Sequence, residues 1–487
     1  MKMHGKTNSI QLGLEVLTPV QCGSGQEMFK ELDYVEKQKQ VFVVDQPRSF
    51  NAIASGDADL DEFLKGSCRL SDVVKLAGEH YGYTLPVLSG TANVPDKFRA
   101  HLKDAMFRPY IAGSSLKGAL RTIIFASALR KLPTDTYQHL LPKFDNQRKQ
   151  ATVPAKIAGK KLMENIFGKD PNHDLLRAFH ITDTIFQPVD LRLTDIRWLN
   201  LVKIGSTLQP QWRDITVRAN DEKKQKNFTD WNKAKGVYSE MIAPLSLAPV
   251  TLGWDNFLLS NLKWHSDNPL PHLFPASFDE LRECLNTHAE LCLQREIGFY
   301  KHYGQTKPQE ECQKILQLLR NESKSAYLQL SWGSGWRGMT GDWMDDDLQN
   351  AMRKLYKEMR GRDGMPFPKN RRLAVSGEPR LPLGWVRLIP YAQIEEKLQQ
   401  RQTEQSAKAN RCTWVDSQIS QLMQKNKCKE NDVLRGSGLA QAWQHLEEGN
   451  LKQQALEDIK NRWQKENWWN EPNGKSARQA KAIYEQH

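Results

Sequence analysis

The sequence is poor in the features that narrow a protein's chemistry quickly. Only seven cysteines occur in 487 residues: Cys22, Cys68, Cys284, Cys292, Cys312, Cys412 and Cys428. They are scattered and odd in number, and no two stand at the two-residue spacing of zinc knuckles and ribbons. A disulfide framework and a structural metal are not expected, and all seven read as reduced thiols. Cys284 and Cys292, eight apart on a predicted helix, suit packing. Long apolar runs are missing too. None approaches the roughly 18 residues a membrane-spanning helix needs. Met1 to Ser9 is polar where a secretory signal would carry an apolar core. The expectation is a soluble, cytoplasmic chain with no membrane partner.

Catalytic signatures are equally scarce. There is no Gly-x-Ser-x-Gly elbow to expose a nucleophilic serine. None of the twelve histidines belongs to a His-x-x-x-His pair. His173 and His180 lie seven apart around a helix-to-strand junction and read as core or surface residues. Asp345, Asp346 and Asp347 stand before Leu348, where acids complement the positive end of a helix as well as they would a metal. No cofactor, no metal and no catalytic residue is assigned. The chain is expected not to be an enzyme.

What the sequence does have is positive charge. Lys and Arg number 69 against 57 Asp and Glu, a formal charge of +12. That excess suits a polyanionic partner, whether RNA, DNA or an anionic surface, although a merely soluble basic protein has the same balance. At 487 residues the chain exceeds what one hydrophobic core fills, so two domains and an appendage are expected.

Strand and helix periods are interspersed. Ile10, Leu12, Leu14 and Val16 alternate with polar residues or glycine, which is the mark of a half-buried strand. A hairpin is predicted from Asp33-Tyr34-Val35 to Val41–Val44, followed by helical pattern from about Pro47 to Gly82. Residues 132–161 read as a basic surface loop, and Asn220 to Gly236 as a second, carrying Lys223, Lys224, Lys226, Lys233 and Lys235. Strands are expected around 179–186, 190–201 and 238–252, then a long helix from Phe278, a shorter one from about Gln309, and paired strands from Arg371 to Leu388. Mixed strands and helices without strict alternation indicate an α+β fold with antiparallel sheets. The expected boundaries are 1–255, 256–390 and a helical extension 391–487. In that extension Trp414, Trp443, Trp463, Trp468 and Trp469 read as docking anchors, on the chain itself or on a partner.

Two glycine turns carry the functional pattern. In the first, Gly113-Ser114-Ser115-Leu116-Lys117-Gly118-Ala119-Leu120-Arg121, a helix is predicted from Leu116, capped by Ser114 or Ser115. A turn feeding a helix exposes unpaired N–H groups and the positive end of the dipole, which accept phosphate readily. Lys117 and Arg121, four apart, share one helix face. The alternative is an ordinary capped helix with solvated cations. This is no Walker loop, because the lysine precedes its glycine and no hydroxyl follows. The second turn, Gly333-Ser334-Gly335-Trp336-Arg337-Gly338, combines flexible backbone, a guanidinium and an aromatic that stacks on a base or simply packs. Downstream, Arg353, Lys354, Lys357, Arg360, Arg362, Lys369, Arg371 and Arg372 outnumber Glu358 and Asp363, as a backbone-tracking groove requires.

These segments, in this order with Leu17–Gly25, Ile181-Thr182-Asp183 and Pro382-Leu383-Gly384-Trp385, resemble the RAMP superfamily of CRISPR proteins. Within it they look most like the fifth subunit of the type III-A Csm effector complex. The likeness runs from about Leu12 to Leu388, with Ala112 where the family usually has proline and Cys22 where it has isoleucine. It implies two ferredoxin-like, RRM-related RAMP domains and a non-catalytic, guide-binding subunit that caps a filament and contacts the 3′ portion of the CRISPR RNA. Implied partners are CRISPR RNA, target RNA and the other Csm subunits. Gly113, Ser114, Ser115, Lys117 and Arg121 would hold RNA, with Gly333, Gly335 and Arg337 behind them. Backbone subunits of such complexes cut with an aspartate near their first glycine turn. Asp33 has a comparable place but reads as a strand-start residue. The rivals are a CRISPR-RNA-processing endonuclease of the same superfamily and a subunit of a type III-B complex.

Overall fold

The alternation at the start of the chain becomes the strand Thr7–Val16, and the first sheet is built outward from it. In the computed structural model, residues 7–37, 40–54, 69–76, 81–88, 94–215, 226–261, 273–330, 332–340, 342–356, 366–409, 413–446, 449–465, 468–472 and 474–485 are described. Thr7–Val16 pairs with Leu247–Asp255 on one side and Trp385–Pro390 on the other. Phe179–Ile181 and Ala326–Gln329 add the two edges, and every pairing is antiparallel. Spans expected as separate domains, 1–255 and 256–390, thus contribute neighbouring strands to one sheet. Sequence order hides this, because the pairing joins residues more than 370 positions apart, such as Leu12 and Pro390.

Leu12, Leu14 and Val16 are buried against the helix Gly113–Lys131. That helix presents Leu116, Leu120, Ile123 and Ile124 to the same core, the stripe its three- and four-residue spacing demands. The long helix Phe278–His302 adds Leu281 and Leu285. On the opposite face of the strand, Gly13 admits Ile394: a Cβ at Gly13 would sit 2.6 Å from Ile394 Cδ1. Arg387 reaches across to Glu15 at 2.7 Å.

The second sheet centres on Leu191–Ile204, a strand of 14 residues. The sheet runs Asn227–Phe228, Thr207–Arg213, Leu191–Ile204, Val237–Ile242, Lys97–His101, Gly23–Phe29. Asn370–Ser376 joins the far half of the long strand and carries Glu378–Pro382 with it. The contact between Val237–Ile242 and Lys97–His101 is parallel, the exception to an antiparallel pattern. The predicted hairpin forms as Tyr34–Lys37 against Gln40–Val44, joined by Gly82–Leu85. Residues 132–161 hold more structure than a loop, with the short helix Thr134–Gln138 and the small strand pair Phe144–Asp145 and Gln150–Ala151. Of the basic residues expected at 220–236, Lys223 and Lys224 lie outside the described residues, as do Lys357, Glu358, Arg360, Arg362 and Asp363 downstream.

Chain contacts divide the protein into two compact units, Met1–Ile394 and Glu395–His487. The second is helical, with its own core of Trp443, Trp463 and Tyr484. Both buried indole N–H groups are satisfied locally, Trp443 by Lys452 O at 2.9 Å and Trp463 by Leu434 O at 3.0 Å. Trp414, Trp468 and Trp469 pack against the same core. Trp443 and Trp463 are internal packing residues, and Trp414, Trp468 and Trp469 are partly buried beside them. No described helix is long and apolar enough to cross a membrane.

The Gly13–Ile394 fit is testable. Gly13→Ala should destabilise the protein by about 1–3 kcal/mol through overpacking. Ile394→Ala, which removes the opposing atoms, should recover part of that loss in the double variant, measured by chemical denaturation.

Candidate nucleic-acid interface

The helix at the first glycine turn begins at Gly113, one turn earlier than its apolar stripe predicts, with Ala112 as the N-cap residue. Neither Ser114 nor Ser115 caps it. Gly113 N–H instead donates to Asp183 Oδ1 at 2.7 Å, so a carboxylate 70 positions away takes the role a serine was expected to fill. A carboxylate serves the positive helix end better than a hydroxyl, which explains the substitution. Gly113 itself is needed by the fold, since a Cβ there would meet Ile181 O at 2.4 Å.

The next turn of the helix faces outward. Ser114 is exposed, and with Lys117, Gly118 and Arg121 it borders a cleft of ≈ 560 Å³ shared with Lys160, Lys169 and Arg177. Arg121 is committed to the fold: its guanidinium pairs with Asp174 at 2.6 Å and lies 4.2 Å from the centre of the Phe167 ring. Lys117 forms no ion pair with a described residue. Burial lowers its pKa, the Asp174 charge opposes that shift, and the Arg121 charge adds to it. Gly118 is the unusual member. A Cβ there would meet nothing within 4 Å, so neither close packing nor backbone geometry calls for glycine in the middle of this helix.

The second glycine turn precedes the short helix Gly335–Thr340. Gly333 and Gly335 both adopt positive φ, 115° and 73°. A side chain at Gly333 would strike Leu383 at 2.6 Å. Arg337 is bound inward, to Asp342 at 2.6 Å, Gln349 Oε1 at 3.1 Å and Phe367 O at 3.2 Å. These bonds make Arg337 a clamp within the fold, and it also lines a cavity with Gly333 and Gly335. Trp336 packs edge-on against Phe367 with ring centres 4.9 Å apart. From the basic run, Arg371 pairs with Glu296 at 2.6 Å, Arg353 lies over Phe367, and Arg372 lies over Trp198 and Trp332.

The remaining candidates have structural partners. Asp33 Oδ2 accepts Phe29 N–H at 2.8 Å and closes the turn before Tyr34–Lys37. Asp345 caps the helix Asp346–Leu355 by accepting Leu348 N–H at 2.7 Å. His173 Nδ1 meets Asp170 at 2.8 Å. One pair that sequence spacing did not flag is Cys292 Sγ and His288 Nε2, 3.4 Å apart. Burial pushes the thiol up to about 11 against the opposing charge of Arg130, and pushes the imidazole down to about 3 with the Arg130 charge adding to the shift. The thiol keeps its proton beside a neutral imidazole, without the thiolate–imidazolium activation of a nucleophilic cysteine. Among the described residues no group of His, Cys, Asp or Glu is arranged to hold a metal.

Sequence reasoning missed Asp183 and Asp174 as partners of the first turn, and Trp198 and Arg99 on the second sheet. The two aspartates carry no local signal. Their roles come from tertiary pairing across 70 and 53 positions.

The two glycines of the first turn should behave oppositely. Gly113→Ala should destabilise the protein markedly, because backbone must move. Gly118→Ala should stabilise it by about 0.5–1 kcal/mol, the helix-propensity gain at an unobstructed site. Thermal or urea unfolding distinguishes the signs. The buried histidines give a pH signature. His101 and His288 have folded pKa values of about 3, both depressed mainly by burial, against about 6.5 unfolded. Unfolding between those values takes up protons, so stability falls as pH drops from about 6.5 towards 3, by about 1.4 kcal/mol per pH unit for each histidine. His288→Gln should reduce the slope of unfolding free energy near pH 5 by about that amount.

The family model described as the RAMP superfamily matches residues 13–337. No curated protein matches the sequence. A chain in the cryo-EM structure of a Csm–crRNA–target RNA ternary complex of a type III-A CRISPR-Cas system superposes with a TM-score of 0.51 at 21% identity, covering 78% of this chain and 99% of that one. The crystal structure of T. onnurineus Csm5 gives a TM-score of 0.49 at 19% identity, over 77% of this chain and 99% of that one. The matched span takes in the end of the central strand, Asp174, Asp183, the first glycine turn and the second as far as Arg337: the chain belongs to the RAMP superfamily.

Proposed function

We propose that this protein is a non-catalytic, RNA-binding structural subunit of a type III-A effector complex, with CRISPR RNA, target RNA and the other Csm subunits as partners. On this reading it contacts the 3′ portion of the guide and caps the backbone filament. The observation that carries it is the outward surface of the helix Gly113–Lys131. An exposed Ser114, an ion-pair-free Lys117 and a glycine at 118 with open space around it lie together on one cleft. A solvent-facing glycine within a helix lowers stability by about 0.5–1 kcal/mol. Close approach of an external backbone is the use such a site has. Lys117 supplies the fixed cation, and Arg121, held by Asp174, sets the wall. Likeness of fold to a chain of a Csm–crRNA–target RNA complex supports the same assignment.

The first sheet is read as a ferredoxin-like unit. Trp385–Pro390, Thr7–Val16, Leu247–Asp255 and Phe179–Ile181, with helices Gly113–Lys131 and Phe278–His302 in the crossovers, follow the antiparallel order fourth, first, third, second of a ferredoxin-like unit. The second sheet is proposed as the other, remodelled unit. Asp33, engaged with Phe29 N–H, is read as structural and not as a cutting residue.

Lys117→Ala should weaken binding of a single-stranded guide RNA and lower the slope of log affinity against log salt by about 0.7, one phosphate contact on a single strand. Unchanged affinity and slope in a folded variant would remove Lys117 from the interface. Incubation with repeat RNA in chelator should leave the RNA intact, and metal-independent cutting at one position would favour the processing endonuclease instead.

A further inference from the structure

One face of the second sheet carries cations that neither glycine turn accounts for. Trp198, on the long strand, stands directly opposite Arg213 on one neighbouring strand and Arg372 on the other. Their guanidinium carbons lie 5.5 and 4.8 Å from the centre of its ring. Arg372 also lies 4.7 Å from the ring of Trp332, and Arg99 approaches that same ring at 5.1 Å. The register puts Arg99 opposite Ser239, and Ser239 opposite Thr194, four residues before Trp198. Residues two and four apart on a strand share a face. The result is one row, Arg213–Trp198–Arg372–Trp332–Arg99, in which guanidinium groups alternate with indoles; Arg213 is buried at one end, and the other four are partly exposed.

The acids nearby are already engaged. Glu296 pairs with Arg371, and Asp342 pairs with Arg337 and Arg295. Arg99 and Arg372 are partly exposed and make neither an ion pair nor a side-chain hydrogen bond with a described residue. Burial, and then the charge of Arg99, lower the Arg372 pKa, as expected for two cations held together without a counter-ion. Trp198 and Asn370 line a cavity of ≈ 190 Å³ beside the row, and their Nε1 and Oδ1 atoms are buried without a hydrogen-bond partner. Asn200 Oδ1, directly opposite Asn370, is in the same state.

We propose that this face binds a segment of single-stranded RNA, with phosphates on Arg99 and Arg372 and ribose or base-edge groups at Trp198 Nε1 and Asn370 Oδ1. The inference rests on the reading that the chain binds RNA and adds a second site, on a different sheet from the Lys117 cleft. The indoles fix the guanidinium planes, so their forked donors meet a phosphate already oriented. An acidic protein segment would satisfy the arginines equally well. Its side-chain carboxylates bring acceptors alone, so a donor for the Asn370 oxygen would have to come from its backbone N–H groups. A ribonucleotide brings phosphate acceptors together with hydroxyl and amino donors.

The test uses the full-length protein and a labelled single-stranded RNA, comparing wild type, Lys117→Ala and the double variant Arg99→Ala/Arg372→Ala. The double variant should lose at least about tenfold in affinity. Its salt slope should fall by about 0.7 per guanidinium removed. Arg372→Lys, which keeps the charge and loses the planar fork, should be intermediate. Wild-type protein should cross-link to RNA carrying 4-thiouridine through peptides spanning 198–213 or 332–372, a readout that needs no variant to fold. If wild type binds RNA while the double variant matches it and no such cross-link forms, this site is overturned and the Lys117 reading stands. Wild type that binds no RNA overturns both. A double variant that binds RNA normally but no longer assembles with partner subunits overturns the RNA assignment in favour of an acidic protein surface.

Discussion

The pairing of Thr7–Val16 with Leu247–Asp255 on one side and Trp385–Pro390 on the other is the constraint on which the first unit depends. It ties the start, middle and end of residues 7–394 into one sheet. Closing such long loops has an entropic cost that grows only slowly with length, so large insertions between these strands are tolerated. The buried Leu12, Leu14 and Val16 face then fixes the helix Gly113–Lys131 through Leu116 and Leu120. With that stripe turned inward, Ser114, Lys117, Gly118 and Arg121 border the open cleft. Position and exposure of the first turn follow from the central strand.

Net charge says little about where a polyanion sits. Among the described residues the fold pairs several of the arginines that look available in sequence: Arg121 with Asp174, Arg337 with Asp342, Arg371 with Glu296 and Arg387 with Glu15. The informative cations are those left over. Lys117 on one sheet's helix, and Arg99 and Arg372 on the other sheet's face, hold positive charge in partly desolvated positions without an acid of their own. Such positions gain most from an incoming phosphate, because the desolvation has already been met by folding.

Local patterns were legible wherever period decided the outcome. The first strand, the Tyr34–Val44 hairpin, the helix Phe278–His302 and the acid-led helix after Asp345 all follow from spacing and capping chemistry. The glycine turns were recognisable too, and the first lies at an open cleft. What the sequence concealed was pairing at a distance. The cap on Gly113 comes from Asp183, and the apparently free Arg121 is held by Asp174. Arg337, expected among the RNA-facing residues, is bonded to Asp342, Gln349 and Phe367. The tryptophans of 395–487 looked like docking anchors because Gln, Lys and Glu surround them, yet Trp443 and Trp463 are fully buried in a small helical core. Trp198 gave no signal in sequence, since its significance arises from the arginines that two other strands place beside it.

The central claim is that a ribose-phosphate strand lies along the outward turns of the helix Gly113–Lys131, held by charge and close backbone approach. Amide hydrogen exchange of the full-length protein, with and without single-stranded guide RNA, tests it most directly. Slower exchange on RNA addition across residues 113–121 and 160–177, the segments that border the cleft, is the predicted result. Protection confined to residues 395–487, or absent from both segments while RNA is bound, would contradict it.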